Sequence, residues 1–222
     1  MIQAVIFDMD GILIDSEAMW VEAEKQVFSS VGVEVTDELS KLTSSLTTKD
    51  VTDFWYARSP WENKSLEQVE NEVIRKVEQL IKQSGQQMDG VQYLLDLLVK
   101  HKVKIGLSTN SPSCLTKAVL NKLDIAHYFA VTTSSDQVIN GKPNPEVYLA
   151  TAKKLSVKPE HCLVFEDSIT GLTAAIAANM QVAVVPPLAS FSNEKYAPAI
   201  LKLRTLNEFS EQDLTRLIGR VD

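Results

Sequence analysis

The chain has 222 residues, of which 45% are apolar and 23% are charged. These values are typical of a globular protein with one domain or two modest domains, and they exclude an intrinsically disordered chain. The 22 basic residues are scattered and outnumbered by 29 acidic residues, so we expect no nucleic-acid partner and no membrane partner.

The chain begins without a basic signal-peptide region, and its apolar runs are shorter than the ~18 residues of a membrane span. We therefore expect a cytoplasmic protein, and we also expect a monomer. Cys114 and Cys162 lack the spacing of a metal-binding pair, and we predict that both are buried, reduced thiols.

Short apolar segments rich in β-branched residues alternate with helical segments along most of the chain. The predicted strands are residues 4–8, 104–108, 130–133, 162–165 and 182–185, and the predicted helices between them include residues 90–101, 113–123, 145–155 and 171–178. Nearly continuous apolar strands are buried on both faces, as in a parallel sheet with right-handed crossovers. The alternation predicts an α/β fold with a doubly wound, Rossmann-like parallel sheet.

The segment between the first and second predicted strands has a different pattern, with no β-rich run. Helical spacing covers residues 17–31, 49–56 and 66–82. We predict that residues 17–83 form an inserted helical cap domain, and that residues 1–16 and 84–222 form the core. Both connections of such a cap flank the first strand, so they can act as the hinge of a lid.

The first predicted strand leads into two carboxylates, Asp8 and Asp10, separated by one residue. Side chains at positions i and i+2 of an extended segment project to the same side, so these carboxylates converge. At ~4 Å and an effective dielectric constant near 20, their repulsion is roughly 4 kcal/mol, which a bound divalent cation would reverse. Gly11 allows a sharp turn and leaves room for a ligand at the amides that follow Asp8, beginning with that of Met9. The spacing therefore indicates a metal and phosphoryl chemistry.

Polar residues also follow three later strands, at the sheet edge where ligands of parallel sheets bind. Ser108 and Thr109 can hydrogen-bond phosphate oxygens at the start of a helix. Lys142 can neutralise an oxyanion or restrain a carboxylate. Glu166 and Asp167 bring two acids to the same edge. Each feature alone is more often structural, but together they favour a phosphate site.

These motifs resemble, in kind and order, those of the haloacid dehalogenase-like hydrolase superfamily. The resemblance is carried by Asp8-Met9-Asp10-Gly11, Ser108, Lys142-Pro143 and Glu166-Asp167. The neighbouring residues are similar to the branch that contains β-phosphoglucomutase and small sugar phosphatases with a helical cap, and they are Asp15-Ser16-Glu17, Pro143-Asn144-Pro145 and Phe165-Glu166-Asp167-Ser168. Residues 54–61 further resemble bacterial phosphatases of 2-deoxyglucose 6-phosphate and hexitol phosphates.

The resemblance implies a Mg²⁺-dependent phosphatase that acts on small sugar or hexitol phosphate monoesters such as 2-deoxyglucose 6-phosphate. Asp8 would attack phosphorus and form an aspartyl-phosphate intermediate. Asp10 would protonate the departing sugar oxygen and then take a proton from the attacking water.

The resemblance also implies a metal site and a phosphate site. Asp8, Asp10 and Asp167 would bind Mg²⁺, Asp10 through its backbone carbonyl, while Glu166 would act from behind them or through water. By the same resemblance, six residues would bind the substrate and its phosphoryl oxygens. They are Asp8, Met9, Asp10, Ser108, Thr109 (through its amide) and Lys142.

Differences from related proteins separate the alternatives. Dehalogenases of the superfamily do not need a second aspartate, so Asp10 argues against halide displacement. Phosphomutases carry a histidine five residues after the position of Asp15, where this chain has Trp20, so a phosphatase is favoured over a β-phosphoglucomutase-like mutase. The alternative for Trp20 is an ordinary core residue of the first cap helix. A non-enzymatic receiver-like phosphoacceptor is disfavoured, because receiver domains are shorter and lack an acid two residues beyond the phosphorylated aspartate.

Substrate choice is expected to lie in the cap, because the core contacts only the phosphoryl group. The hydroxyl-rich residues 42–49 contain no arginine, which favours a polyol or a monophosphorylated sugar over a bisphosphate. The alternative is a polar loop that leads into a helix capped by Thr48. Trp55, Tyr56 and Trp61 either line a sugar pocket or form the core of the cap.

Overall fold

The structure is a computed structural model that describes residues 1–219. Within that range the strands are β1 (Ala4–Phe7), β2 (Lys104–Ser108), β3 (Val131–Thr133), β4 (Cys162–Glu166), β5 (Gln181–Val184) and β6 (Leu201–Lys202). They form one parallel sheet in the order β3-β2-β1-β4-β5-β6. This confirms the predicted α/β fold with a parallel, doubly wound sheet.

The helices of the described residues surround this sheet or lie in the segment that follows β1. They are α1 (Glu17–Ser30), α2 (Asp37–Thr43), α3 (Thr48–Arg58), α4 (Leu66–Ser84), α5 (Val91–Lys100), α6 (Ser113–Lys122), α7 (Glu146–Leu155), α8 (Ile169–Ala177) and α9 (Glu211–Ile218). The elements α2, α9 and β6 were not predicted from the sequence. The strand β6 has two residues and α2 has seven, which is too short for a hydrophobic period to stand out.

The sequence of β1 is an unbroken apolar run because both faces of the strand are buried. Ala4 and Ile6 pack into a cluster with α7 and α8, whereas Val5 and Phe7 pack into a second cluster on the opposite face. All four residues are fully buried, because successive side chains of a strand point to opposite faces and both faces are covered. Phe7 also stacks on Phe165 of β4, with ring centroids 5.3 Å apart.

The helices α1 to α4 form a segment that we call the helical insert. Within it α1 and α3 pack on α4, and α4 also packs on α6 of the core. Phe28 lies between Trp55 and Trp61, with ring centroids 5.9 and 6.1 Å away. Trp55 and Trp61 are therefore core residues of the insert, while Tyr56 is 37% exposed. The division into two domains at residues 16/17 and 83/84 stays a prediction, and α4 itself ends at Ser84.

The strand order places the functional edge between β1 and β4. The chain moves from β1 outward to β3 and then returns to β4 on the other side of β1, which creates the switch point where parallel sheets bind ligands. Phe7 is in register with Leu107 of β2 and with Phe165 of β4. Asp8 therefore emerges between Ser108 and Glu166.

Two expectations about the surface and the thiols can be compared with the structure. No helix within residues 1–219 has both the length and the apolar character that crossing a membrane requires. Cys162 is buried as predicted, but Cys114 is exposed, which corrects the prediction for that residue. It lies in the first turn of α6 beside the buried Leu115, and only the Leu115 side of the helix faces the core.

Candidate active site

A buried ammonium group joins the ends of β1 and β4. Nζ of Lys142 lies 2.6 Å from Oδ1 of Asp8 and 2.7 Å from Oε1 of Glu166, and it also donates to the carbonyl of Ser108 at 3.0 Å. Burial lowers the pKa of Lys142, but the charges of the two carboxylates outweigh this effect and raise it overall. The side chain is therefore a permanent cation among acids.

The nearby carboxylates carry more negative charge than Lys142 can balance. Burial raises the pKa of Asp8 to about 7 although Lys142 opposes this, and Glu166 and Asp10 raise it further. Burial and the charges of Glu166 and Asp8 likewise raise the pKa of Asp167 well above its ordinary value. The cluster therefore has an excess of negative charge in the protein alone.

The same acids fit a divalent cation. Asp8, Glu166 and Asp167 each place a carboxylate oxygen within 4.8 Å of the other two. Carboxylate oxygens are the ligands that Mg²⁺ prefers, and a cation would relieve the repulsion among them. The donor set of this edge is thus suited to the magnesium ion that the family resemblance implies.

Glu166 is held by hydrogen bonds on both carboxylate oxygens. Oε1 accepts from Lys142 and from the hydroxyl of Tyr148 at 2.6 Å. Oε2 accepts from the amides of Asp167 and Ser168 and from the Ser168 hydroxyl, at 3.0 to 3.2 Å. Burial raises the pKa of Glu166, but Lys142 and these hydrogen bonds lower it overall. Because both of its oxygens accept hydrogen bonds, Glu166 can hold Lys142 and the Asp167–Ser168 backbone in place.

Two glycines make room for these carboxylates. Gly11 has a φ of +74°, and a Cβ there would lie 2.4 Å from Oδ2 of Asp167. At Gly171, in the first turn of α8, a Cβ would lie 1.7 Å from Oε1 of Glu166. Larger residues at either position would displace an acid of the cluster.

Asp10 has a separate set of partners. Its Oδ1 accepts from the hydroxyl of Ser16 at 2.6 Å and from the indole N–H of Trp20 at 2.9 Å. Its Oδ2 accepts from the hydroxyl of Ser111 at 2.7 Å. Trp20 belongs to α1 and Ser16 is its N-cap residue, whereas Ser111 lies in the loop after β2. Helical insert and core thus hold this carboxylate together.

The loop after Asp8 offers backbone donors. Within residues 1–219 no group accepts a hydrogen bond from the amide of Met9 or of Asp10, whereas the amide of Gly11 donates to the carbonyl of Ile14 at 3.0 Å. Successive free amides next to a buried carboxylate form a concavity suited to anions. This placement is compatible with the predicted contact between Met9 and substrate.

The structure does not bring all predicted phosphate ligands to the cluster. Ser108 is fully buried, and its hydroxyl lies 2.7 Å from that of Thr151 on α7, so only its carbonyl faces the lysine. The amide of Thr109 donates to the carbonyl of Thr133 at 3.1 Å, so it is not a free donor. The hydroxyl of Thr109 accepts from the amide of Ser111 at 3.0 Å and keeps its own proton to donate.

A loop of the helical insert lies on the core beside the site. The hydroxyl of Ser45 is 2.8 Å from that of Thr170, and the side-chain amide of Asn110 donates to the carbonyl of Ser45 at 2.9 Å. The helix that follows is capped by Thr47, which accepts from the amide of Asp50, and this corrects the expectation that Thr48 is the cap. The insert therefore covers the site in this conformation.

Residues 5–185 match the family model described as haloacid dehalogenase-like hydrolase. The chain belongs to this family. It is 37% identical over 215 residues to hexitol phosphatase B of Escherichia coli, with 96% of each chain covered. It is 33% identical to the phosphorylated carbohydrates phosphatase of Thermotoga maritima, over 81% of this chain and 82% of that protein.

A solved structure shows the same fold. The hydrolase superimposes on β-phosphoglucomutase from Clostridium difficile with a TM-score of 0.85 and 24% identity, covering 99% of this chain and 98% of that one. The predicted family and the prediction that the chain is an enzyme are confirmed by these comparisons.

Several polar contacts of this hydrolase were missed by sequence reasoning. Ser16 and Ser111 on Asp10, and Tyr148 on Glu166, had no role assigned to them. Trp20 was considered only as the residue in place of the mutase histidine or as an ordinary core residue, and its contact with Asp10 was not predicted. Ser16 and Trp20 stand six and ten residues after Asp10, on the far side of a turn, and that proximity in the chain was the available signal. Tyr148 gave no signal, because a tyrosine on an amphipathic helix is usually a packing residue.

Proposed function

We propose that this hydrolase is a Mg²⁺-dependent phosphatase of small sugar or hexitol phosphate monoesters. The observation that carries the proposal is the placement of Lys142 between Asp8 and Glu166, with Asp167 beside them and Asp10 held apart. The names of the similar proteins from Escherichia coli and Thermotoga maritima support the substrate class.

Asp8 is the proposed nucleophile. Lys142 fixes Oδ1, while no described residue donates to Oδ2, which is therefore available to attack phosphorus. Attack by a carboxylate oxygen and departure of the sugar oxygen leave an aspartyl-phosphate, so that one difficult displacement becomes two easier ones. Water then attacks phosphorus, and the Asp8 carboxylate is released with inorganic phosphate.

Asp10 is the proposed general acid and base. In the first step it gives a proton to the departing oxygen, and in the second it takes one from water. Its partners define where that proton sits, because the indole of Trp20 can only donate and so keeps Oδ1 as an acceptor. The proton therefore belongs on Oδ2, where the Ser111 hydroxyl can turn to accept.

The phosphoryl oxygens need positive charge and donors. We propose that Asp8, Asp167 and the carbonyl of Asp10 hold Mg²⁺, which supplies charge to the phosphoryl group when it is bound. The free amides of Met9 and Asp10 and the hydroxyl of Thr109 supply the remaining donors. Lys142 supplies positive charge, because its three N–H groups already donate to protein oxygens. Ser108 contributes its carbonyl to Lys142 and is not proposed as a phosphate ligand through its hydroxyl.

A hydrolysis screen tests this proposal. Release of inorganic phosphate would be measured from sorbitol 6-phosphate, 2-deoxyglucose 6-phosphate and a nucleoside monophosphate, each with Mg²⁺ and with a chelator. We expect Mg²⁺-dependent release that is fastest from the hexitol and hexose esters and absent in Asp8→Asn. An enzyme that hydrolyses none of these esters with Mg²⁺ would overturn the proposal.

A further inference from the structure

The helical insert contains a buried carboxylate that the mechanism above does not use. Glu24 on α1 is 7% exposed, and no described residue forms a hydrogen bond or ion pair with it. Burial raises its pKa to about 7. A carboxyl group left in this state costs free energy, because it gives up water and gains no partner.

Other acids of the insert do not share this environment. Glu22, on the same helix, is 58% exposed and lies 3.7 Å from Lys76. Glu70, on α4, accepts from the hydroxyl of Thr48 at 3.2 Å. An acid kept for structure alone is expected to have such a partner, and Glu24 has none among the residues described.

Glu24 lies on the side of α1 that reaches the active site. It follows Trp20 by four residues, so the two positions differ by about 40° around the helix and by about 6 Å along it. Trp20 contacts Asp10, and Ser16 at the start of the same helix does so too. Helical side chains lean toward the N-terminus of their helix, so the Glu24 side chain extends toward the turn that carries Trp20.

The oxygens of Glu24 are not sealed in the protein interior. Among the residues that the structure describes, the fully enclosed side-chain atoms without a partner are Ser40 Oγ, Trp55 Nε1, His101 Nδ1 and His161 Nδ1. The unpaired oxygens of Glu24 are not among them, so they reach accessible space although the side chain as a whole is buried. One helical turn separates this carboxylate from Trp20, whose indole contacts Asp10.

We propose that Glu24 is a specificity residue that accepts hydrogen bonds from hydroxyl groups of the substrate's polyol or sugar chain. The inference rests on the proposed phosphatase function and names the part of the substrate that the insert recognises. Two neighbouring hydroxyls can donate to one carboxylate and replace the water it has lost. A second phosphate at this position would be repelled, which restricts the enzyme to monophosphates.

The test compares two esters that differ only in hydroxyl groups. Sorbitol 6-phosphate and n-hexyl phosphate have the same six-carbon chain and the same type of leaving group, so the ratio of their kcat/KM values measures hydroxyl recognition. We expect Glu24→Ala to lower this ratio roughly 10- to 100-fold, the loss typical of a hydrogen bond to a charged group. Glu24→Gln should lower it less, because an amide oxygen still accepts. Glu22→Ala is the matched control and should leave the ratio unchanged.

The possible results distinguish a failure of the Glu24 proposal from a failure of the proposed phosphatase function. An unchanged ratio in Glu24→Ala would overturn the inference, and so would equal losses on both esters, because those results indicate no role or a purely structural role. In both cases Mg²⁺-dependent hydrolysis by the wild type would leave the proposed phosphatase standing. If the wild type releases phosphate from no monoester, the proposed function itself fails and this inference fails with it.

Discussion

The indole N–H of Trp20, on the helical insert, donates to Oδ1 of Asp10, on the core, at 2.9 Å. Ser16, the N-cap residue of the same helix, donates to that oxygen at 2.6 Å. The orientation of Asp10, the proposed general acid and base, thus depends on where α1 lies. A movement of the insert away from the core would remove donors from Asp10 at the same time as it admits water to the site.

The first prediction concerns Trp20→Phe, which keeps an aromatic ring and removes the N–H. A hydrogen bond to a charged acceptor contributes about 1.5–3 kcal/mol, so we expect a loss of roughly ten-fold or more in kcat for sorbitol 6-phosphate. With p-nitrophenyl phosphate the loss should be smaller, because its leaving group needs no proton. Tyr56→Phe, at an exposed aromatic of the insert, is the control. Equal losses on both esters would show that Trp20 does not act through Asp10.

The predicted site residues that the structure places close together share one physical origin. Asp8, Lys142, Glu166 and Asp167 lie at the carboxyl ends of parallel strands or in the segments that follow them, and these ends meet at one edge whatever their separation in the chain. Fold class and the charged cluster could be predicted for this reason. Neither depends on the details of side-chain packing.

The parts that could not be predicted depend on packing or on strand phase. Ser108 and Thr109 are adjacent, and only the phase of β2 decides that the Ser108 hydroxyl faces Thr151 on α7. Trp20 stands only ten residues after Asp10, but nearness in the chain does not determine which way the indole N–H points. The exposure of Cys114 likewise follows from which side of α6 faces the core.

The second prediction concerns Tyr148→Phe, which removes a donor to Glu166 and leaves the ring in place. Loss of a partner behind metal ligands typically weakens metal binding roughly 10- to 100-fold. The Mg²⁺ concentration for half-maximal activity should rise by about that factor, with a smaller change in kcat at saturating Mg²⁺. Tyr93→Phe, at an exposed position on α5, should match the wild type. An unchanged Mg²⁺ requirement would contradict the assigned role of Glu166.

The third prediction concerns Lys142→Met, which leaves Asp8 and Glu166 as buried charges without their common partner. Breaking a buried ion pair on one side typically costs about 3–5 kcal/mol, so the free energy of unfolding in urea should fall by about this amount. Hydrolysis should also be lost, because the phosphoryl oxygens lose a fixed cation. Lys117→Met, on the exposed side of α6, should change stability by less than about 0.5 kcal/mol. A Lys142→Met variant as stable as the wild type would refute the ion-pair account.

The fourth prediction is a pH dependence that comes from Glu24. Because burial raises its pKa from 4.5 to about 7, the folded protein holds this proton more tightly than the unfolded chain does. The contribution of Glu24 to stability therefore falls as pH rises through this range, by on the order of 3 kcal/mol. Glu24→Gln does not titrate, so its stability relative to wild type should increase from pH 4.5 to pH 8 by about this amount.

Urea unfolding of both proteins at the two pH values measures this difference. Titrations elsewhere in the protein cancel in the comparison, because they occur in both chains. Glu22→Gln should show no such change, since Glu22 is exposed. A difference between Glu24→Gln and wild type that is the same at both pH values would show that Glu24 is not desolvated in the folded protein.

The transient phosphorylation of Asp8 is the central claim, and it can be measured by rapid quenching followed by peptide mass spectrometry. The most favourable sample is Asp10→Asn with p-nitrophenyl phosphate and Mg²⁺, because this ester leaves without a proton while the second step lacks its base. We expect a phosphoryl group on the peptide that contains Asp8, which forms within the first turnover and decays slowly. Steady hydrolysis without that adduct, or full activity in Asp8→Asn, would contradict it.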